Sequence, residues 1–249
     1  MAIYQPSTYQ PSYFFENTTQ QSFKLETDIK PAIQEPNLKN NQGIYEIWFE
    51  KYRPKAFNEI VGQDQIINSI MAKLNNLPHM ILEGKAGTGK TSIIRLIAKQ
   101  LNADVLELNS SDERGINTIR KDKKIPNSGR VSDFIRNASI QGTLKIVFFD
   151  EADGMTSEAQ DCLKAMIEKY SSRVRFIFAC NDIKKIIEPI KSRCKAYHFE
   201  PCSIDSIVKR LKQIAAFEHL NIPESTLNKI ADDSQGDMRK AINDLQAWG

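Results

Sequence analysis

The chain has 249 residues, enough for one large or two modest domains that each bury an apolar core. Apolar residues make up 41% and charged residues 26%, and the formal net charge is only +3. No run of eighteen apolar residues is present, and the first residues lack the charged and then apolar pattern of a secretory signal. A membrane-spanning or exported protein is therefore not expected. We expect a soluble, intracellular protein, cytoplasmic in a prokaryotic or archaeal cell and nuclear in a eukaryotic one.

The first 44 residues differ in composition from the rest of the chain. They are rich in Gln, Asn, Ser, Thr and Pro, and they contain a short tandem repeat, YQPS at 4–7 and again at 9–12. Such a segment cannot bury enough apolar surface to offset the cost of ordering it. The composition predicts a disordered N-terminal arm over residues 1–44.

The pattern of apolar residues divides the remainder of the chain into two parts. From residue 45 to residue 200, short apolar runs alternate with helical patterns, which indicates a parallel sheet covered by crossover helices. Strands are predicted at 80–83, 104–108, 144–149 and 174–180. Beyond Pro201, apolar residues recur only at helical spacing. The sequence therefore predicts an α/β core over 45–200 and a small helical domain over 201–249.

The octapeptide GKAGTGKT at 84–91 matches the phosphate-binding pattern GxxxxGK[ST], and it lies between a predicted strand and a predicted helix. In such a loop, backbone N–H groups and the helix N-terminus bind phosphates. Lys90 is expected to neutralise the β- and γ-phosphates, and the Thr91 hydroxyl to bind Mg²⁺. A chance glycine-rich turn is the alternative, which the flanking elements argue against. The predicted nucleotide-binding residues here are Gly84, Lys85, Ala86, Gly87, Thr88, Gly89, Lys90, Thr91 and Ser92.

A second motif, KIVFFDE at 145–151, places two carboxylates directly after an apolar strand. Adjacent acids are common on protein surfaces, but acids that immediately follow a buried strand are not. Asp150 is expected to hold Mg²⁺ through its water shell, and Glu151 to polarise the attacking water. Together the two motifs predict hydrolysis of ATP or GTP.

Further strings resemble the replication factor C small subunits, which are AAA+ ATPases of sliding-clamp loaders. These strings are WFEKYRP at 48–54, IVGQ at 60–63, ELNSSDERGI at 107–116, DEAD at 150–153 and SRC at 192–194. Their order and spacing also agree with that family, and the resemblance covers roughly residues 46–248. It implies an α/β fold, an AAA+ P-loop NTPase core with a parallel sheet and helices on both faces, followed by a helical lid domain.

The resemblance also implies roles for residues outside the phosphate loop. Asn181 would sense the γ-phosphate, Arg239 would act as a second sensor, and Asn109 would hold Glu151 when DNA is absent. Arg193 would complete the ATP site of a neighbouring subunit in trans. Taken without the neighbouring strings, Arg193 and Arg239 could equally be ordinary surface charges. The residues implied to line an adenine pocket, and so to select ATP, are Lys51, Tyr52, Arg53, Pro54, Val61 and Gly62.

The segment from residue 114 to residue 136 contains seven Lys and Arg residues but only two Asp. From charge alone, a solvated surface loop and a nucleic-acid contact are equally acceptable. The resemblance favours contacts from Arg114, Arg120 and Lys121 to one backbone of primer-template DNA. Contacts of this type carry little base specificity and weaken steeply with salt.

The resemblance implies a clamp-loader subunit that binds and hydrolyses ATP with Mg²⁺, and that acts with other loader subunits, a sliding clamp and primer-template DNA. Two features depart from the family pattern. Lys85 and Ala86 stand where the family commonly has two prolines. The sequence stops after the third predicted lid helix, where loaders continue into a helical collar, so no collar domain is expected within these residues. The sequence is then a fragment, or a separate chain supplies the collar, or the assembly differs.

Two other functions therefore stay open. One is a truncated regulatory AAA+ module that binds ATP and DNA but turns over little on its own. The other is a different AAA+ enzyme such as a branch-migration helicase, against which the strings at 51–54 and 112–116 argue.

Overall fold

The computed structural model describes residues 46–111, 115–122, 128–137 and 144–249. The predicted disordered arm and Arg114 lie outside these ranges. In the described part of the chain, no helix is long and apolar enough to cross a membrane.

A five-stranded parallel sheet forms the centre of the molecule, in the order β2-β3-β4-β1-β5. Four of the strands match the predicted ones to within one residue at either end, whereas β5 was not predicted. The apolar runs of β3 and β4 are almost wholly buried, as expected for central strands covered on both faces. The strands are β1 (Met80–Gly84), β2 (Asp104–Asn109), β3 (Lys145–Asp150), β4 (Val174–Cys180) and β5 (Lys195–Phe199).

Ten α-helices accompany this sheet in the described ranges. The seven that precede β5 or connect the strands are α1 (Trp48–Lys51), α2 (Asp64–Met71), α3 (Lys90–Gln100), α4 (Ile116–Ile119), α5 (Arg130–Arg136), α6 (Ser157–Tyr170) and α7 (Glu188–Lys191). The three that follow β5 are α8 (Ile204–Phe217), α9 (Glu224–Asp233) and α10 (Met238–Trp248).

Each face of the sheet is covered by its own apolar cluster. On one face, side chains of α2 and α3 pack on the sheet with Phe148 and Ile177. On the other, α5, α6 and α7 pack around Phe149 and Phe178, whose rings are stacked 5.2 Å apart. These two layers confirm the predicted α/β class with helices on both faces of a parallel sheet.

The helices α8, α9 and α10 form a separate apolar cluster of their own. Leu211 and Leu245, from the first and third of these helices, are fully buried in it. Two of the helices start with side-chain caps, since Ser203 accepts from Ser206 N and Asp237 accepts from Lys240 N. We refer to these three helices as the lid. The aromatic residues of α1 pack against the lid cluster, although they lie about 150 residues earlier in the chain.

Candidate nucleotide site

The site lies at the carboxyl edge of the sheet, where ligands of open parallel sheets bind. The phosphate loop follows β1, and the Asp150–Glu151 pair ends β3. Because β4 lies between β1 and β3 in the sheet, the residue that follows it, Asn181, emerges between the two motifs. The sheet order thus brings together three segments that are about 30 to 60 residues apart in sequence.

The phosphate loop turns on two glycines with left-handed backbone conformations. Gly87 has φ +69° and Gly89 has φ +99°, and the latter caps the N-terminus of α3. Other residues adopt such angles only with strain. The loop therefore directs its N–H groups and the start of an eleven-residue helix toward one point.

Lys90 is the most buried charged group of the site, with only 9% of its surface exposed. Its ammonium donates to the carbonyl oxygens of Gly84 at 2.6 Å and Lys85 at 2.7 Å. Burial lowers the pKa of Lys90, and the nearby Asp150 carboxylate opposes that effect. The loop carbonyls thus hold the ammonium in the position from which it can reach a phosphate.

Thr91 and Asp150 form a candidate metal-binding site beside the phosphate loop. The Thr91 hydroxyl donates to Asp150 Oδ2 at 3.0 Å, so two hard oxygen ligands converge there. Mg²⁺ prefers such oxygens and usually takes one or two protein ligands beside waters and substrate phosphates. The residues present therefore fit the predicted ion.

Glu151 is held by Ser111 and not by Asn109. The Ser111 hydroxyl donates to Glu151 Oε2, while its N–H donates to Asn109 Oδ1 at 2.9 Å. The sequence-based expectation that Asn109 itself binds Glu151 is wrong for this structure, because Ser111 stands between the two. Glu151 has a left-handed backbone conformation, φ +53°, which is uncommon for a residue other than glycine.

The pocket beside these motifs collects most of the predicted nucleotide-binding residues. Its lining includes Tyr52, Arg53, Pro54 and Val61, the loop from Ala86 to Ser92, the two acids, Asn181 and Arg239. Lys51 and Gly62 do not line it, and neither do Gly84 and Lys85, whose carbonyls hold Lys90. Lys51 pairs with Glu218 on the lid, and Gly62 has φ +76° with the Cys202 backbone 3.9 Å from where a β-carbon would lie.

Apart from Arg239, the lid residues that line this pocket were not predicted from the sequence. Arg210 of α8 and Met238 and Ile242 of α10 line it, as do Phe49, Ile60 and Cys202. The Arg239 guanidinium lies over the Phe49 ring, 5.6 Å from its centroid. The helical spacing of Met238 and Ile242 was visible in the sequence, but it did not show that one side of the helix borders a cleft.

The lid also contacts the phosphate loop directly. A β-carbon added to Gly87 would collide with the carboxylate of Asp237, which caps the first turn of α10 through Lys240 N. The closeness of this contact leaves no space for a larger residue at position 87.

We expect Gly87→Ala to weaken binding of a fluorescent ATP analogue about tenfold or more. The added methyl group strains a left-handed residue by about 1 kcal/mol and displaces a helix cap worth about 1 kcal/mol. Equilibrium titration monitored by fluorescence measures the change. Gly115→Ala is the control, because that glycine has an extended conformation and only a distant neighbour. Unchanged affinity in Gly87→Ala would contradict the proposed closeness of loop and lid.

The remaining predicted residues lie outside the pocket. Arg193 follows α7 and pairs with Glu168 of α6, with a further bond from Nη1 to the Pro189 carbonyl at 2.7 Å. Lys121 pairs with Asp133 at 2.8 Å, and Arg120 ends α4. None of these three residues lines the chain's own pocket.

Two family models match the chain. The model described as "ATPase family associated with various cellular activities (AAA)" matches residues 80–201, and the model "RCF1/5-like, AAA+ ATPase lid domain" matches residues 209–248. The match to the second model ends with Trp248, the last residue of α10, and the first spans all five strands.

Curated relatives agree with these models. The replication factor C small subunit of Haloarcula marismortui is 39% identical over 86% of this chain and 66% of its own length. Those of Archaeoglobus fulgidus and Methanococcus vannielii are 41% and 42% identical, over 81% and 80% of this chain and 63% of their own lengths. The chain thus spans slightly less than two thirds of the length of these relatives.

The chain is also similar to a solved structure named as the RuvB Holliday junction branch migration motor of Thermotoga maritima. The TM-score is 0.63 at 19% identity, over 78% of this chain and 64% of that one. Similarity at this level of identity concerns the fold alone. The fold, the two family models and the curated relatives together place the chain in the replication factor C small-subunit family of AAA+ ATPases.

Proposed function

We propose that the chain binds and hydrolyses Mg-ATP as a motor subunit of a sliding-clamp loader acting on primer-template DNA. The observation that supports this most strongly is the pocket, where Lys90, the Thr91–Asp150 pair and Glu151 converge beneath the lid. Membership of the replication factor C small-subunit family is the reason for proposing that ATP hydrolysis in this pocket serves clamp loading. Other loader subunits, a clamp and DNA would be its partners.

Each side chain has a task that follows from its position. The Lys90 ammonium would exchange its loop carbonyls for β- and γ-phosphate oxygens, and Asn181 would contact the γ-phosphate from the end of β4. Thr91 and Asp150 would hold Mg²⁺, which when bound neutralises charge on the phosphates. Glu151, once released from Ser111, would accept a hydrogen bond from the attacking water and orient it.

The pocket wall favours an adenine base. Apolar and aromatic groups from Tyr52, Pro54, Val61 and Met238 line the pocket together with the phosphate loop. Such groups suit a flat heterocycle, and few of them can donate or accept hydrogen bonds. Arg239 on the lid would meet the phosphates from the opposite side.

Turnover tests this proposal. ATP hydrolysis by the chain, assembled with the other subunits of its native complex, is measured with and without primed DNA and the cognate clamp. We expect stimulation that requires both. A chain that binds ATP without stimulated turnover in any assembly would contradict the loader function and favour the regulatory module.

A separate prediction concerns Arg193, which we expect to complete the ATP site of a neighbouring subunit. Arg193→Ala should lower turnover of the assembled complex by about 10³-fold, as for other arginines that stabilise phosphoryl-transfer charge in trans. It should leave ATP binding by the isolated chain unchanged, because Arg193 lies outside its own pocket.

Glu168→Gln provides the control for the Arg193 prediction. It weakens the ion pair that Arg193 makes within the chain and keeps the guanidinium. We expect nearly full turnover in this variant. An equal loss in both variants, or a loss from Arg193→Ala in a verified monomer, would contradict action in trans.

A further inference from the structure

The segment that forms one wall of the pocket is attached to the lid rather than to the sheet. Trp48, Phe49 and Tyr52 pack against the apolar cluster of α8, α9 and α10. The attachment includes polar bonds, since Trp48 N donates to Gln246 Oε1 and Gln246 Nε2 donates to the Glu46 carbonyl, both at 2.9 Å. The wall residues that follow α1 therefore depend on the lid for their position.

Glu218 is the centre of this attachment. It lies at the C-terminal end of α8, and its Oε1 accepts from the Tyr52 hydroxyl at 2.5 Å and pairs with Lys51 Nζ at 2.8 Å. Only 19% of the Glu218 side chain is exposed, and Glu218 itself does not line the pocket. One carboxylate of the lid thus holds two consecutive residues of the segment that leads into the pocket.

Arg210 completes the arrangement from inside the pocket. It lies two turns before Glu218 on α8, and its Nη2 donates to the Tyr52 carbonyl at 3.1 Å. Tyr52 is therefore bound at its hydroxyl by Glu218 and at its backbone by Arg210. We call Lys51, Tyr52, Arg210 and Glu218 the Glu218 cluster.

The ionisation of the cluster agrees with its geometry. Burial opposes the charge on Glu218, but the hydrogen bonds from Lys51 and Tyr52 outweigh it, so the pKa of this carboxyl is lowered. Burial raises the pKa of Tyr52, and its bond to Glu218 raises it further. Near neutral pH the carboxylate is charged and the phenol is a donor, the states that the two contacts need.

We propose that Glu218 is a positioning residue for the nucleotide site, which sets ATP affinity by fixing the wall formed by Tyr52, Arg53 and Pro54 to the lid. The proposal rests on the proposed function, because it concerns the same pocket. Glu218 touches neither the phosphate loop nor the acids that end β3 and so has no part in the chemical step. By reciprocity, nucleotide bound against the wall strengthens the attachment of this segment to the lid.

A matched pair of variants tests the assignment. Glu218→Gln removes the charge that pairs with Lys51 and weakens the bond from Tyr52. Glu224→Gln makes the same change in an ion pair of the same lid, where Glu224 meets Lys212 at 2.6 Å but contacts no residue of the pocket wall. Tyr52→Phe removes the hydroxyl alone and keeps the ring.

Affinity for a ribose-labelled fluorescent ATP (mant-ATP) is measured by titration of each full-length variant. We expect about tenfold weaker binding for Glu218→Gln and a similar loss for Tyr52→Phe, the scale of one charge-assisted hydrogen bond. Glu224→Gln should bind like the unaltered chain. In the assembled complex, Glu218→Gln should raise KM for ATP and leave kcat unchanged, because the reacting groups are intact.

A purely structural role predicts a different result. It would lower the melting temperature of the nucleotide-free chain and leave the stabilisation added by a fixed excess of mant-ATP unchanged, whereas a positioning role diminishes that added stabilisation. Affinity within twofold of the unaltered chain for Glu218→Gln and Tyr52→Phe overturns the proposal while the proposed function stands. If the unaltered chain fails to bind mant-ATP, the proposed function and the role of Glu218 are both overturned.

Discussion

Replacing Lys90 with alanine should reduce affinity for Mg-ATP by about 100-fold or more. The buried ammonium donates to two loop carbonyls and would form charge-assisted bonds to two phosphates, each worth about 1.5–3 kcal/mol. Isothermal titration with ATP measures the loss. The variant should keep its fold, because Lys90 is the first residue of α3 and alanine is a strong helix former.

Lys99→Ala is the control for this experiment. Lys99 lies on the same helix, is exposed, and belongs to the last turn, at the opposite end of the helix from the phosphate loop. It should bind ATP like the unaltered chain. Retention of ATP affinity within a few-fold by Lys90→Ala would contradict the assignment of the loop as the phosphate site.

Replacing Glu151 with glutamine should leave ATP binding intact and lower turnover by about 10²- to 10⁴-fold, the usual contribution of a positioned base. Glutamine keeps the shape and still accepts the bond from Ser111, but it cannot accept a proton. Single-turnover hydrolysis and parallel titration with mant-ATP separate the two effects. We expect the DNA-bound form of the assembled complex to accumulate, because release would require hydrolysis.

Asp161→Asn is the control for the Glu151 variant, since Asp161 is an exposed acid on α6, the helix that follows the Glu151 turn. Its turnover should be normal. An equal loss of ATP affinity in Glu151→Gln would indicate that Glu151 helps to hold the nucleotide rather than to orient the water.

The class of the fold could be predicted from sequence because the central strands are buried on both faces. Such strands read as continuous apolar runs, as in residues 146–149 and 176–180. The edge strand β5 was missed because only Tyr197 and Phe199 are buried in it, and Ala196 and His198 are exposed. The order of the strands depends on pairing between segments that are distant in sequence, so it could not be predicted from local apolar patterns.

Site residues could be predicted from sequence where they belong to one short contiguous motif, whose local conformation sets their relative positions. The phosphate loop and the two acids are of this kind, and the structure brings Thr91 and Asp150 within hydrogen-bonding distance. The approach of Arg210 and Asp237 could not be predicted, because it depends on how the lid folds over the loop. The position of Ser111 between Asn109 and Glu151 likewise depends on the turn that follows β2. The roles of Arg120 and Lys121 in DNA binding stay predictions, and Arg114 lies outside the described residues.

The bonds between the Lys90 ammonium and its own loop have a consequence for the strength of nucleotide binding. The two carbonyl oxygens already compensate part of the cost of removing this cation from water. An arriving triphosphate must exchange those partners for its own oxygens, so the measured affinity reports the difference between two sets of bonds rather than the full attraction of opposite charges. In return, the side chain is already ordered before binding, and little conformational entropy remains to be lost when the phosphates arrive.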